Sequence, residues 1–143
     1  MRAIDVVDAL GGERVLAREI RSDFDLAMAV LEGIPTDAVY HVLGTDLLNG
    51  DDMDALVISR RMLDWRRKRG RPLTITESDR LLRVVRVVVS AREALGTAER
   101  ARSWLRAPNR ALRGATPLTL LRTELGSRMV ERVLGRIEHG VHA

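Results

Sequence analysis

ESDRLLRVVRVVVSAREAL, residues 77–95, is the stretch on which the fold class turns. It runs nineteen residues without Gly or Pro and carries five valines, a composition that favours a strand by propensity alone. The spacing says otherwise. Leu81, Leu82, Val84, Val85, Val88 and Val89 recur at i, i+1, i+3, i+4, i+7 and i+8, which is one face of a helix, and Arg80, Arg83 and Arg86 stand three apart. A half-buried strand would alternate polar and apolar residues, and this stretch does not. Thr76, with Asp79 three residues on, has the form of a capping box, and Glu77 falls in the first turn, so the helix is expected to start there. Val87 lies off the main stripe; a helix so widely apolar could serve a dimer as well as a core.

Working outward, the remaining chain also reads as helices. Apolar-periodic stretches at 3–10 and 13–20 are separated by Gly11 and Gly12. SDFDLAMAVLEG starts a helix at Ser22 or Asp23 and stops it at Gly33; IPTDAVYHVLG repeats the form between Pro35 and Gly44. A short helix follows at 51–57, then one at 60–69 capped by Ser59 and ended by Gly70 and Pro72. Beyond Gly96 short helices are broken by Pro108, Gly114 and Pro117. A last helix is expected at 124–138, with Leu125, Met129, Val130, Val133, Leu134 and Ile137 as its apolar stripe and Gly140 as its stop. Apolar residues make up 45% and aromatics only 3%, so the core must be Leu, Val, Ala and Met, which suits helix packed on helix. The expectation is an all-α chain with two subregions, 1–96 and 97–143. There is no cysteine, which excludes disulfides and points to a reducing compartment. No apolar stretch approaches the ~20 residues of a membrane span, and acids inside MRAIDVVDALGG make it a poor signal peptide. A cytoplasmic location is expected.

The net charge of +4 hides an asymmetry: residues 1–58 carry −8 and residues 59–143 carry +12. Half of SRRMLDWRRKRGRP, residues 59–72, is Arg or Lys, with one Trp among them. As a helix it would put Met62, Leu63 and Arg66 on one side and Arg61, Asp64, Trp65 and Lys68 on the other, flanked by Arg60, Arg67 and Arg69. A short helix and a tight turn near Ile58 and Ser59 precede it, which is helix-turn-helix spacing. Arg can read guanine edges and neutralise phosphates, so Arg60, Arg61, Trp65, Arg67, Lys68 and Arg69 are the candidate DNA contacts. The competing reading is a solvated surface whose Trp covers another part of the same chain. Only Lys68 among the 24 basic residues is Lys, so a genome-wide Arg bias could explain the overall excess, though not the cluster.

WLRAPNRALRGATPLTLLRTELGSRMVERVLGRIEHGV, residues 104–141, resembles the toxin-binding domain of the Xre/MbcA/ParS antitoxin family. That pattern is Trp-Leu, then Pro-Asn-x-x-Leu-x-Gly, then x-Pro-Leu-x-Leu-Leu-x-Thr-x-x-Gly, then a helix ending in a Gly-Arg-Ile-x-x-Gly-like segment. Here it stands as Trp104, Leu105, Pro108, Asn109, Leu112, Gly114, Pro117, Leu118, Leu120, Leu121, Thr123, Gly126, Gly135, Arg136, Ile137 and Gly140. ALGGERVL, IRSDFDL, GIPTDAV and SRRMLDWRRKRGRPLTITESDRLLRV are similar to the family's Xre-type portion in style and order, so the likeness covers nearly the whole chain. The resemblance implies an antitoxin of a type II toxin–antitoxin pair. The implied toxin has a RES or ParT-like domain that degrades NAD or transfers its ADP-ribose, and the antitoxin's C-terminal domain obstructs the NAD cleft. It further implies a homodimer and a helix-turn-helix bound to the operon's own promoter.

Trp104, Leu118, Leu121 and Leu134 read as core, whereas polar residues near loops and the chain end are the candidate toxin contacts: Asn109, Arg110, Arg113, Arg136, Glu138, His139 and His142, with Gly140 beside them. A terminal segment enters a cleft at little cost, and an Arg there could pair with carboxylates that otherwise face the ligand. His41, His139 and His142 have no ligand-spaced partners, there is no Walker loop or dinucleotide-binding glycine pattern, and Ser59 and Ser103 have no evident base, so no metal, cofactor or catalysis is expected. Two rivals stay open: a DNA-binding regulator whose C-terminal domain serves assembly only, and an antitoxin that does not bind DNA and acts on an ADP-ribosylating ParT-like toxin.

Overall fold

The computed structural model describes residues 3–140. Among them there is no strand: the chain runs α1 (Ala3–Ala9), α2 (Gly12–Leu16), α3 (Asp23–Glu32), α4 (Thr36–Leu43), α5 (Gly50–Leu56), α6 (Arg60–Lys68), α7 (Ile75–Leu95), α8 (Ala98–Arg106), a 3₁₀ turn (Arg110–Leu112), α9 (Pro117–Leu120) and α10 (Glu124–Glu138). The all-α expectation holds.

Short polar residues start most of these helices by accepting an otherwise orphaned backbone N–H. Ser22 accepts from Asp25 N, Ser59 from Met62 N, Thr97 from Arg100 N, Thr116 from Thr119 N and Thr123 from Gly126 N. Asn49 and Asp52 form a full capping box, at 2.9 and 2.8 Å. The box on α7 is not the expected Thr76–Asp79 pair. It is Thr74 with Glu77, and α7 begins at Ile75. TITESD contains both patterns; the longer Glu side chain closes a box more readily than Asp, and the Leu73 N–H is already held by Ile34 O at 2.9 Å, which leaves Thr74 extended at the edge of the core. The stretch expected as helix over 13–20 is helical only to Leu16. Ala17 turns left-handed (φ 56°), and Glu13 accepts the Ile20 N–H at 3.1 Å, folding Ile20 back into the core.

α7 is the axis of the molecule. α1, α3 and α5 pack against it, and so do α8 and α10. Leu81, Val84, Val85 and Val87 are at most 1% exposed. Val87 is therefore buried inside its own chain, and its position off the main stripe gives no support to a dimer. Burying one such side chain contributes about 1.5–3 kcal/mol, so α7 carries much of the apolar stabilisation. Buried residues from Val6 to Leu134 form one continuous cluster, so the core does not break at residue 96.

Two polar contacts fix where α7 starts. Ser78, fully buried, accepts the Ile34 N–H at 2.9 Å. Gly33 crosses close by at φ 96°, and a Cβ there would stand 2.5 Å from Leu73 O, so glycine is required at that crossing. Glu77 accepts from the Thr74 N–H and is ion-paired with Arg66 of α6, both side chains largely buried. Burial pushes the Glu77 carboxyl upward, but the Arg66 and Thr74 hydrogen bonds outweigh it and hold it below the ordinary carboxylate value.

A depressed carboxylate stabilises the fold above its unfolded pKa, and that contribution is lost as pH falls through the folded value. Glu77→Gln is expected to cost about 1.5–3 kcal/mol at neutral pH and less at acid pH, because protonation has already removed the wild-type advantage. Urea unfolding at pH 7 and below pH 4 checks this; an equal loss at both would refute it.

Candidate functional site

α5, the three residues Val57–Ser59 and α6 make a compact helix pair. Met53, Leu56, Val57 and Ile58 are buried on the α5 side, and Leu63 is the single buried residue of α6. Met53 O accepts both the Val57 and Ile58 N–H groups, which closes the turn tightly. Apart from Met62, Asp64 and Trp65, the other residues of α6 are cationic. Its residues are nevertheless not equally available. Arg66 is tied to Glu77. Arg67 lies over the Tyr40 ring at 4.4 Å, and the Tyr40 hydroxyl donates to Asp64 Oδ1 at 3.0 Å. Burial, and then the Asp64 carboxylate, raise the Tyr40 pKa above the ordinary phenol value, so it stays a donor. Arg69 stacks on Trp65 at 4.8 Å; such an exposed contact is worth about 0.5–1 kcal/mol and is easily exchanged. Among the described residues no ion pair holds Arg60, Arg61 or Lys68. The structure thus places all six candidate DNA contacts on one helix and its end. Arg61, Trp65 and Lys68 face outward, Arg67 leans to α4, and Arg60 turns back toward Gly50. Trp65 is 44% exposed, so it does not act as a cover for another element.

The C-terminal stretch is shaped by Asn109. Its Oδ1 accepts from Ala111 N at 2.9 Å, its N–H donates to Ala115 O, and its carbonyl receives Leu112 and Gly114 N–H groups, so one residue closes the whole loop. Arg113 ends the 3₁₀ turn in the left-handed region, at φ 57°. Leu121 and Leu134 are core as expected, while Trp104 and Leu118 are half-buried against it. α9 and α10 meet at Gly126, where a Cβ would lie 2.1 Å from Leu120 O. The carboxylate of Glu124, whose pKa burial raises but the Arg83, Arg86 and Arg128 cations pull below its usual value, binds Arg83 at 2.9 Å and Arg86 at 3.6 Å, locking α10 to α7. Arg83 and Arg86 are therefore internal fasteners.

Arg110 and Arg113 are exposed beside the 3₁₀ turn, and Arg136, Glu138, His139 and Gly140 are exposed at the end of α10. His142 lies outside the described residues. The expected single stripe on α10 divides. Val130, Val133 and Leu134 are buried, but Leu125 is 66% and Met129 39% exposed. With Arg128, Arg132, Arg136 and His139 they fall at i, i+3, i+4, i+7, i+11 and i+14, a narrow outward strip. The sequence signal was there, in Arg128, Arg132 and Arg136 spaced by four, but the apolar stripe drew Leu125 and Met129 to the core.

The two regions are clasped. Arg106 of α8 binds the Asp52 carboxylate of α5 with both Nη atoms, at 3.1 and 2.5 Å, and reaches Leu47 O at 3.3 Å; Arg102 donates to Asp46 O at 3.3 Å.

Comparison with known proteins bears on this arrangement. Residues 90–140 match the Antitoxin Xre/MbcA/ParS C-terminal toxin-binding domain. The chain is 32% identical over 122 residues to Antitoxin Xre of Pseudomonas putida, covering 85% of this chain and 76% of that protein. The chain belongs to the Xre antitoxin family. Antitoxin Xre of Photorhabdus laumondii is 33% identical over 112 residues, covering 77% and 76% of the two chains, and that of Yersinia enterocolitica 31% over 118, covering 81% and 80%. The toxin-binding domain of this Xre-type antitoxin thus comprises the end of α7, α8, the Asn109 loop, α9 and all of α10. Among the described residues no single helix is long and apolar enough to cross a membrane.

Gly126→Ala would drive a methyl into the Leu120 carbonyl. It is expected to destabilise the chain by about 1–3 kcal/mol in denaturant titration and to weaken toxin capture as α9 shifts. Unchanged stability would refute the close approach.

Proposed function

We propose that this antitoxin neutralises a RES-type toxin by laying the outward strip of α10 along the toxin, with the end of that helix and the Arg110–Arg113 loop over its NAD-binding cleft. The observation that carries the reading is the exposure of Leu125 and Met129 among Arg128, Arg132 and Arg136, within the family's toxin-binding domain. Exposed apolar side chains in a cationic surround form an anchored interface: the apolar pair supplies burial and the arginines supply orientation and carboxylate pairing. Arg136, Glu138, His139, Gly140 and His142 are the tail group, and Asn109 holds the loop in shape. α6 binds the operon's promoter, with Arg61, Trp65 and Lys68 toward the groove and the other cations toward phosphates. The homodimer implied by a two-fold operator belongs to this reading; with Val87 buried, the exposed apolar residues left for it include Phe24 and Leu31 of α3. A ParT-like, ADP-ribosylating toxin is the alternative partner.

Leu125→Asp changes an exposed first-turn residue, where an acid suits the helix dipole, so stability should move by less than about 0.5 kcal/mol. Its inhibition of NAD loss by the co-purified toxin should weaken at least about tenfold. Full inhibition by the variant would reject the strip. Sparing of NAD turnover together with blocked ADP-ribosylation would favour the alternative toxin.

Titrating a duplex from upstream of the operon is expected to show a complex at low salt, its log affinity falling by roughly 0.9 per phosphate contact per log unit of salt. No complex at low salt would reject promoter binding and leave the antitoxin reading standing.

A further inference from the structure

α8 belongs to the toxin-binding domain, yet one of its faces borders the helix pair. There a cavity of about 460 Å³ is lined by Asp46, Asn49 and Gly50 before and within α5, Arg60 at the start of α6, and Arg102 and Arg106 of α8. Three guanidiniums from two regions meet in it. Arg106 is matched by Asp52, at 3.1 and 2.5 Å. Arg102 makes one long hydrogen bond to a backbone carbonyl and meets no carboxylate among the described residues. Arg60 has no hydrogen bond or ion pair among the described residues, and its guanidinium lies against Gly50, with Nη2 2.7 Å from where a Cβ would be. Asn49 uses its Oδ1 on Asp52 N, which leaves the amide hydrogens for another acceptor. Against the three cations stand the Asp46 and Asp52 carboxylates. One positive charge is left over, and a group of charge −1 with several acceptor oxygens would satisfy it.

We propose that this cavity seats one backbone phosphodiester of the DNA that α6 engages, so that Arg102 of the toxin-binding domain is itself a DNA-contact residue and Arg106 positions it. The inference rests on the promoter-binding reading above. The diester fits in charge, and the cavity opens beside the first residue of the helix that would enter the groove. A phosphate contact carries no sequence information, so its loss has a distinctive signature.

The test is anisotropy titration of the full chain with the upstream duplex and with a scrambled duplex, at several salt concentrations. Arg102→Gln, Arg60→Gln and the double variant are compared with Arg100→Gln, an exposed arginine on the other side of α8. Arg102→Gln is expected to weaken both duplexes about fivefold and to reduce the salt slope by about 1. The double variant should lose less than the product of the single losses, because both arginines hold one phosphate. Arg100→Gln should leave the slope unchanged, and thermal melting should show all four folded. A wild-type slope in Arg102→Gln overturns the inference while wild-type binding keeps the promoter reading. No binding by the wild type overturns both. Loss of toxin inhibition by Arg102→Gln with DNA binding intact also overturns it and assigns the cavity to an acidic segment of the toxin.

Discussion

α7 is enclosed on almost every side, and that enclosure sets the rest of the molecule. A helix with buried residues at 78, 81, 84, 85, 87, 88 and 91 cannot rest against a single neighbour. α1, α3 and α5 cover one part of it and α8 and α10 another. The helix pair α5–α6 and the toxin-binding domain are therefore parts of one core, joined through the helix that both pack around. Its N-terminal end is fixed by Ser78 on Ile34 and by Glu77 on Arg66, so the cationic helix α6 is held by the same turn that starts α7.

The arginines divide by what surrounds them. Arg66, Arg83, Arg86 and Arg106 meet carboxylates of other helices and fasten one element to another. Such partly buried, multiply bonded pairs resist exchange with solvent or ligand far better than exposed ones. Among the described residues Arg60, Arg61 and Lys68 have no such partner, while Arg67 lies on the Tyr40 ring and Arg69 on the Trp65 ring. An excess of arginine spread along the sequence thus becomes two populations, one structural and one free to meet a polyanion or an acidic protein surface. The clasp of Arg106 on Asp52 also means that a partner seated on the toxin-binding domain sits on an element rigidly tied to the helix pair.

Much of this was legible locally. The period of Leu81–Val89 identified a helix against the pull of five valines, and Ser22, Ser59 and the glycines at 33, 44 and 96 marked real ends. The basic stretch at 60–69 is the helix its spacing predicts, with Leu63 and Arg66 turned inward, but Met62, expected beside them, is exposed. The misreadings share a cause. Thr76–Asp79 and Thr74–Glu77 overlap in one short stretch, and the contact of Glu77 with Arg66, eleven residues away, lies outside any local pattern. Leu125 and Met129 fit an apolar stripe, but α9 and α7 cover only the side bearing Gly126, Val130 and Val133. Val87 stood off its stripe, yet neighbours distant in sequence close over it.

By itself the sequence determined which segments are helices, where most begin and stop, and, through the spacing of Trp104 to Gly140, the family whose toxin-binding domain this is. Those properties depend on neighbours within a turn or two, or on a motif written along the chain. Only the tertiary structure decided which cations are free, which side of α10 faces out, and that Arg60 and Arg102 share a cavity with Arg106. Each of those depends on what another helix places against a side chain, and in a bundle of short helices that neighbour is set by packing around α7, not by distance along the chain.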